Sequence, residues 1–154
     1  MIDKQEKTAQ QTFAERLAAA TIETGTITIE GKEYPYRVCK PDLAPQLKYF
    51  VGPRNPSEGL FISSDVPAEF RNAFFLHEVK CAATRGKENN CRDAVEYELW
   101  HVPEPDRDRY IRIRTEMFSG LVAAYPADKA SSESDAAFRR EIAGSLNYLR
   151  SLLP

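Results

Sequence analysis

The sequence is poor in several features that would mark a function class. Its 154 residues include three cysteines, seven glycines and two histidines, and the formal net charge is −2. No apolar run approaches the ~20 residues of a membrane-spanning helix, which argues against a membrane protein. Twenty-one basic residues against 23 acidic ones leave no positive field to attract nucleic acid. We therefore expect neither a membrane nor a nucleic acid as a partner.

The few cysteines and glycines also lack the spacing of common motifs. Cys39, Cys81 and Cys91 form no CxxC pair, which argues against a zinc ribbon or a thioredoxin-like site. Their odd, low number fits reduced thiols, and the charged first seven residues contain no apolar segment typical of a signal peptide. We therefore predict a cytoplasmic protein. No GxGxxG or GxxxxGK[ST] pattern occurs, so a standard nucleotide-binding loop is not expected.

The period of the hydrophobic pattern changes twice along the chain. Apolar residues at helical spacing predict a first helix over 4–22. Alternation then predicts a hairpin over 25–39 and further strands at 47–51 and 60–63. Helical spacing returns and predicts four more helices, over 67–85, 91–101, 106–125 and 135–153.

This order of elements is typical of an α+β fold. We expect an N-terminal helix, a small four-stranded sheet with mixed or antiparallel pairing, and four helices packed on it. The length is close to the commonest size of one domain and allows a core without disulfides. We therefore predict a single domain over residues 1–154.

Three of the predicted helices carry a polar residue on their apolar face. His77 lies within the apolar stripe of the second helix, Glu98 within that of the third and Arg114 within that of the fourth. A carboxylate in such a place is unfavourable unless it is paired, hydrogen-bonded, protonated or bound to a metal ion. These residues therefore mark the candidate site.

The segment His77-Glu78-Val79-Lys80-Cys81 places two metal-ligand types one helical turn apart. Side chains at i and i+4 project from one face of a helix and can bind one ion. Imidazole and thiolate are both good zinc ligands. The segment resembles the HExxH zinc helix of the zincin metallopeptidases, with Cys81 where that family has its second histidine.

The resemblance implies zinc as cofactor and hydrolysis as the activity. It makes His77 and Cys81 ligands and Glu78 the general base. Glu98 matches the carboxylate ligand that one branch of the family takes from a following helix. Cys91 lies on the same helix face as Glu98 and is a candidate fourth ligand.

The resemblance covers residues 25–101, and it implies that the fold is a minimal zincin-like architecture. In that family the edge strand before the metal helix binds an extended substrate, which implies an extended peptide as partner at strand 60–63. The cysteine at the second ligand position defines a zinc site that is either altered or lost.

Two other interpretations stay open. In the first, Glu98 and Arg114 form a buried ion pair beside His77, and the chain is a metal-free structural or interaction domain with a polar cluster. In the second, the chain is a thiol enzyme that uses Cys81 or Cys91 as nucleophile, activated by His77.

Overall fold

The strands lie early in the chain and the helices late, so the fold is α+β as predicted. The computed structural model describes residues 14–41, 56–124 and 133–154. The chain divides into two compact units, Met1–Pro67 and Ala68–Pro154. One domain over residues 1–154 stays a prediction.

The first unit contains, in its described part, a helix and a three-stranded mixed sheet. These elements are α1 (14–20), β1 (Thr21–Ile29), β2 (Lys32–Cys39) and β3 (Leu60–Ser63). β1 and β2 are antiparallel, β2 and β3 are parallel, and the strand order is β1-β2-β3. Glu30 and Gly31 connect the hairpin with φ values of 51° and 81°, the positive φ that suits the twist of a tight hairpin. The strand predicted at 47–51 lies outside the described residues.

The side chains of β2 are alternately buried and exposed, in the same pattern as the alternating apolar residues that predict this strand. Tyr34 and Val38 are buried, whereas Glu33, Pro35 and Arg37 between and beside them are exposed. All four residues of β3 are buried, as expected for a short continuous apolar strand.

The second unit contains the four predicted helices, with ends shifted by a few residues. They are α2 (Arg71–Ala83), α3 (Asn90–Leu99), α4 (Glu104–Ala124) and α5 (Glu133–Ser151). α2 packs against α3, and α5 packs against both α3 and α4. No helix in the described ranges combines the length and the apolar character needed to cross a membrane.

Aromatic side chains form much of the core of the second unit. Tyr110 is fully buried, and its ring meets those of Phe70 and Phe74 edge-to-face at centroid distances of 5.1 and 5.6 Å. Burying a side chain of this kind contributes on the order of 2 kcal/mol. The Tyr110 hydroxyl is the polar end of this core, and it faces the candidate site.

Candidate metal centre

Three metal-ligand side chains meet where α2 packs on α3. His77 and Cys81 lie one turn apart on α2, and Cys91 lies in the first turn of α3. One ligand atom from each lies within 4.8 Å of the others, and Cys91 Sγ is 3.8 Å from His77 Nε2. Tetrahedral zinc with these ligands needs separations of about 3.5–3.8 Å. The group can therefore hold a metal ion after small side-chain shifts.

The second ring nitrogen of His77 faces Glu98. Nδ1 lies 2.8 Å from Glu98 Oε1, in the geometry of an ion pair rather than of an aligned hydrogen bond. Arg114 donates from Nη2 to the same oxygen at 2.8 Å, and the Tyr110 hydroxyl donates to Glu98 Oε2. Glu98 is 0% exposed, so these contacts replace its hydration.

The charge of Glu98 controls the protonation of His77. Burial by itself lowers the pKa of His77, but the negative charge of Glu98 and the hydrogen bond with Cys81 outweigh it and raise the pKa to about 9. In the metal-free protein His77 is therefore an imidazolium at neutral pH. A metal ion at Nε2 has to displace that proton, so binding is coupled to proton release.

Arg114 is buried between one carboxylate and two aromatic rings. It is 3% exposed and pairs with Glu98. Its guanidinium carbon lies 4.1 Å from the centre of the Phe74 ring and 4.9 Å from that of Phe118, which are cation–π distances. Arg114 thereby holds the carboxylate that faces His77.

Each sulfur of the cluster accepts one further hydrogen bond. Ser145 Oγ on α5 donates to Cys91 Sγ at 3.1 Å, and Asn90 Nδ2 donates to Cys81 Sγ at 3.5 Å and to the Cys81 carbonyl at 3.1 Å. The hydrogen bond from Cys91 lowers the pKa of Cys81, and the charge of His77 lowers it further. The same bond, together with burial, raises the pKa of Cys91.

A glutamate of α5 holds the start of α3 in place. Glu141 accepts the backbone N–H groups of Asn89 at 3.3 Å and of Cys91 at 3.2 Å. A helix leaves its first N–H groups without partners in its own backbone, and the Asn89 side chain forms no cap here. Glu141 and Ser145, one turn apart on α5, thus fix both the backbone and the sulfur of Cys91.

Glu78, the predicted general base, follows His77 on α2 and is partly buried. Burial raises its pKa to about 7, against the opposing charge of His77. A carboxyl group with a pKa near neutrality can accept a proton and return it.

Of the four predicted ligands, three lie together in the structure, namely His77, Cys81 and Cys91. The fourth, Glu98, lies at Nδ1 of His77 instead of in this group. Sequence reasoning missed Ser145, although it lies three residues after Ile142 on the apolar stripe of the last helix, and the same search for polar residues on apolar faces could have found it.

Comparisons of the chain with protein-family models, with curated proteins and with solved structures found no match. The function therefore has to be inferred from the chemistry of the site.

Proposed function

We propose that the protein is a zincin-like, metallopeptidase-related protein whose altered zinc site consists of His77, Cys81 and Cys91. The observation that carries this proposal is the convergence of one imidazole and two sulfurs within 4.8 Å. Thiolate and imidazole are preferred zinc ligands, and three protein ligands leave one position open, as in catalytic Cys₂His sites.

The contacts around the three donors also support zinc. A histidine that binds a metal usually presents its other ring nitrogen to a carboxylate or carbonyl, which orients the ring. Glu98 stands at that position, 2.8 Å from Nδ1. Ser145 and Asn90 donate hydrogen bonds to the sulfurs, which favours the thiolate form that a metal needs.

The reaction that we propose for this site is hydrolysis. Zinc held by His77, Cys81 and Cys91 would supply a Lewis acid for this reaction. Glu78 would take up the proton that the attacking water loses and return it to the leaving group. Glu98, held by Arg114, keeps the ring of His77 in orientation. The substrate class that the resemblance supports is an extended peptide. The three free cysteines favour a reducing, cytoplasmic location.

Metal analysis of protein purified without chelator tests zinc binding. We expect one zinc ion per chain in the wild type, and loss of most of it in His77→Ala and Cys91→Ser. Cys39→Ser is the matched control, because it removes a buried cysteine of the other unit and should keep the zinc. Wild-type protein without zinc, or equal zinc in all variants, would contradict the proposal.

Hydrolysis is tested separately with a mixture of unstructured peptides. Glu78→Gln should keep the zinc and lose the cleavage, whereas Glu96→Gln on the exposed side of α3 should keep both. Cleavage that survives in Glu78→Gln would remove Glu78 as the base.

A second candidate function is a metal-free structural or interaction domain. It is favoured by the cluster of His77, Glu98 and Arg114, in which each charge has a buried partner without an ion. If this alternative holds, a chelator leaves stability unchanged, and His77→Ala and Glu98→Ala act only through the free energy of unfolding.

A further inference from the structure

Cys81 and Cys91 are arranged as an oxidisable pair. Their sulfurs belong to the group whose donor atoms lie within 4.8 Å of one another. A disulfide needs a sulfur–sulfur distance of about 2.0 Å, so closure requires a modest approach of the two side chains. The connection between α2 and α3 is short and exposed over 85–89.

The two thiols differ in accessibility. This difference suits Cys81 as the cysteine that attacks an oxidant and Cys91 as the cysteine that then forms the disulfide. Cys81 is partly exposed, whereas Cys91 is buried behind it and held by Ser145. Redox-active pairs combine an accessible thiol with a second thiol nearby that forms the disulfide. An oxidant therefore reaches Cys81 first, and Cys91 is the group already in contact with the product.

We propose that the Cys81–Cys91 pair is a redox modification site, which hydrogen peroxide converts into a disulfide. In the first step Cys81 Sγ attacks the peroxide, an S–O bond forms, the O–O bond breaks, and the thiol proton leaves with the departing oxygen as water. In the second step Cys91 Sγ attacks the sulfenic sulfur, an S–S bond forms, the S–O bond breaks, and a second water leaves. The two sulfurs are oxidised by two electrons in total, and the peroxide is reduced.

The disulfide removes both sulfur ligands from the metal group at once and leaves His77 as its remaining donor. Oxidation should therefore release a bound metal ion, and a dithiol reductant should restore binding. This consequence rests on the proposed function, whereas formation of the disulfide does not.

Peptide mapping after peroxide treatment tests the inference on the full chain, with and without prior chelation. Trypsin separates the two cysteines into peptides 81–85 and 88–92. Mass spectrometry under non-reducing conditions should find these two peptides linked, two hydrogen atoms lighter than the sum of the free peptides. In zinc-loaded protein a chromogenic chelator should report one metal ion released per link formed.

Two variants give the controls. Cys39→Ser should form the same link, whereas Cys91→Ser should stop at a Cys81 sulfenic acid that dimedone traps. The inference is overturned if chelated wild-type protein accumulates sulfinic acid at Cys81 with Cys91 still a free thiol, or if peroxide modifies neither. If the disulfide forms in a protein that binds no zinc, the proposed zinc site is contradicted and the redox site is supported. If the protein binds zinc but forms no disulfide after chelation, the redox site is contradicted and the zinc site is supported.

Discussion

His77 contacts different groups through its two ring nitrogens. Nε2 faces the sulfur of Cys91 at 3.8 Å, and Nδ1 faces the carboxylate of Glu98 at 2.8 Å. The carboxylate is in turn held by Arg114 and by the Tyr110 hydroxyl. The negative charge of Glu98 therefore acts on the donor atom through the ring, and it makes the imidazole more basic.

This coupling predicts the titration of His77 in metal-free protein. NMR signals of its ring should report an imidazolium at neutral pH that loses its proton at about pH 9, because Glu98 raises the pKa. In Glu98→Gln the charge is gone while burial still lowers the pKa of His77, so the midpoint should fall. An equal midpoint in the two proteins would show that Glu98 does not control His77; Glu96→Gln serves as the control.

The hydroxyl of Ser145 acts on the pKa of Cys91. The hydrogen bond with Cys81 and burial raise the pKa of Cys91, and the Ser145 hydroxyl opposes them. Removing it in Ser145→Ala should make the thiol proton harder to displace. The pH midpoint of cobalt binding, followed by thiolate-to-metal absorption, should therefore rise by roughly half a pH unit, the equivalent of one hydrogen bond.

The matched variant for this measurement is Ser151→Ala. It makes the same chemical change on the same helix, at an exposed serine whose hydroxyl donates to the Tyr148 carbonyl. A midpoint that is the same in Ser145→Ala, Ser151→Ala and wild type would contradict a role for Ser145 in holding the thiolate.

At the scale of elements, α5 holds α3 in position. Glu141 binds two backbone N–H groups at the start of α3, so it caps a helix from a distant part of the chain. Such a contact has no local pattern in the sequence, because the capping residue is usually the one that begins the helix.

Removing this cap should loosen the start of α3. Glu141→Ala leaves the N–H groups of Asn89 and Cys91 without that carboxylate and should lower the free energy of unfolding by about 0.5–2 kcal/mol. It should also speed hydrogen exchange at these two amides. Arg140→Ala, at the exposed neighbouring position, is the control. Unchanged stability and exchange in Glu141→Ala would show that α3 does not depend on the cap.

The elements that the sequence predicts well are those with a long amphipathic stripe. The four late helices and the hairpin differ from prediction by a few residues. The boundary between α1 and β1 differs more, because Thr21 fits the helical spacing but pairs with Cys39 as the first residue of β1. A β-branched residue at the end of a helix readily joins a ladder when a partner strand is present.

For the site, the face analysis predicts which residues point inward but not what they meet. It identifies His77, Glu98 and Arg114 because each interrupts an apolar stripe. It does not fix how far one helix is shifted along another. The position of α3 along α2 places Glu98 beside Nδ1 of His77 and brings Cys91 close to Cys81.

At the scale of the whole molecule, zinc binding and folding of the second unit should be linked. Ligands that bind only the folded state stabilise it, by about 4 kcal/mol at 1,000 times the dissociation constant. A chelator should therefore lower the thermal midpoint of wild-type protein on the order of 10 °C. In Cys91→Ser it should change the midpoint little, and an unchanged wild-type midpoint would favour the metal-free alternative.

The central claim is that one histidine and two cysteines bind zinc together. Zinc K-edge X-ray absorption of protein purified without chelator measures those ligands directly. We expect two sulfur atoms at about 2.3 Å with nitrogen or oxygen at about 2.0–2.2 Å completing the shell, and one sulfur fewer in Cys91→Ser that has been reconstituted with added zinc. A shell of nitrogen and oxygen alone, or a sulfur count that Cys91→Ser leaves unchanged, would contradict it.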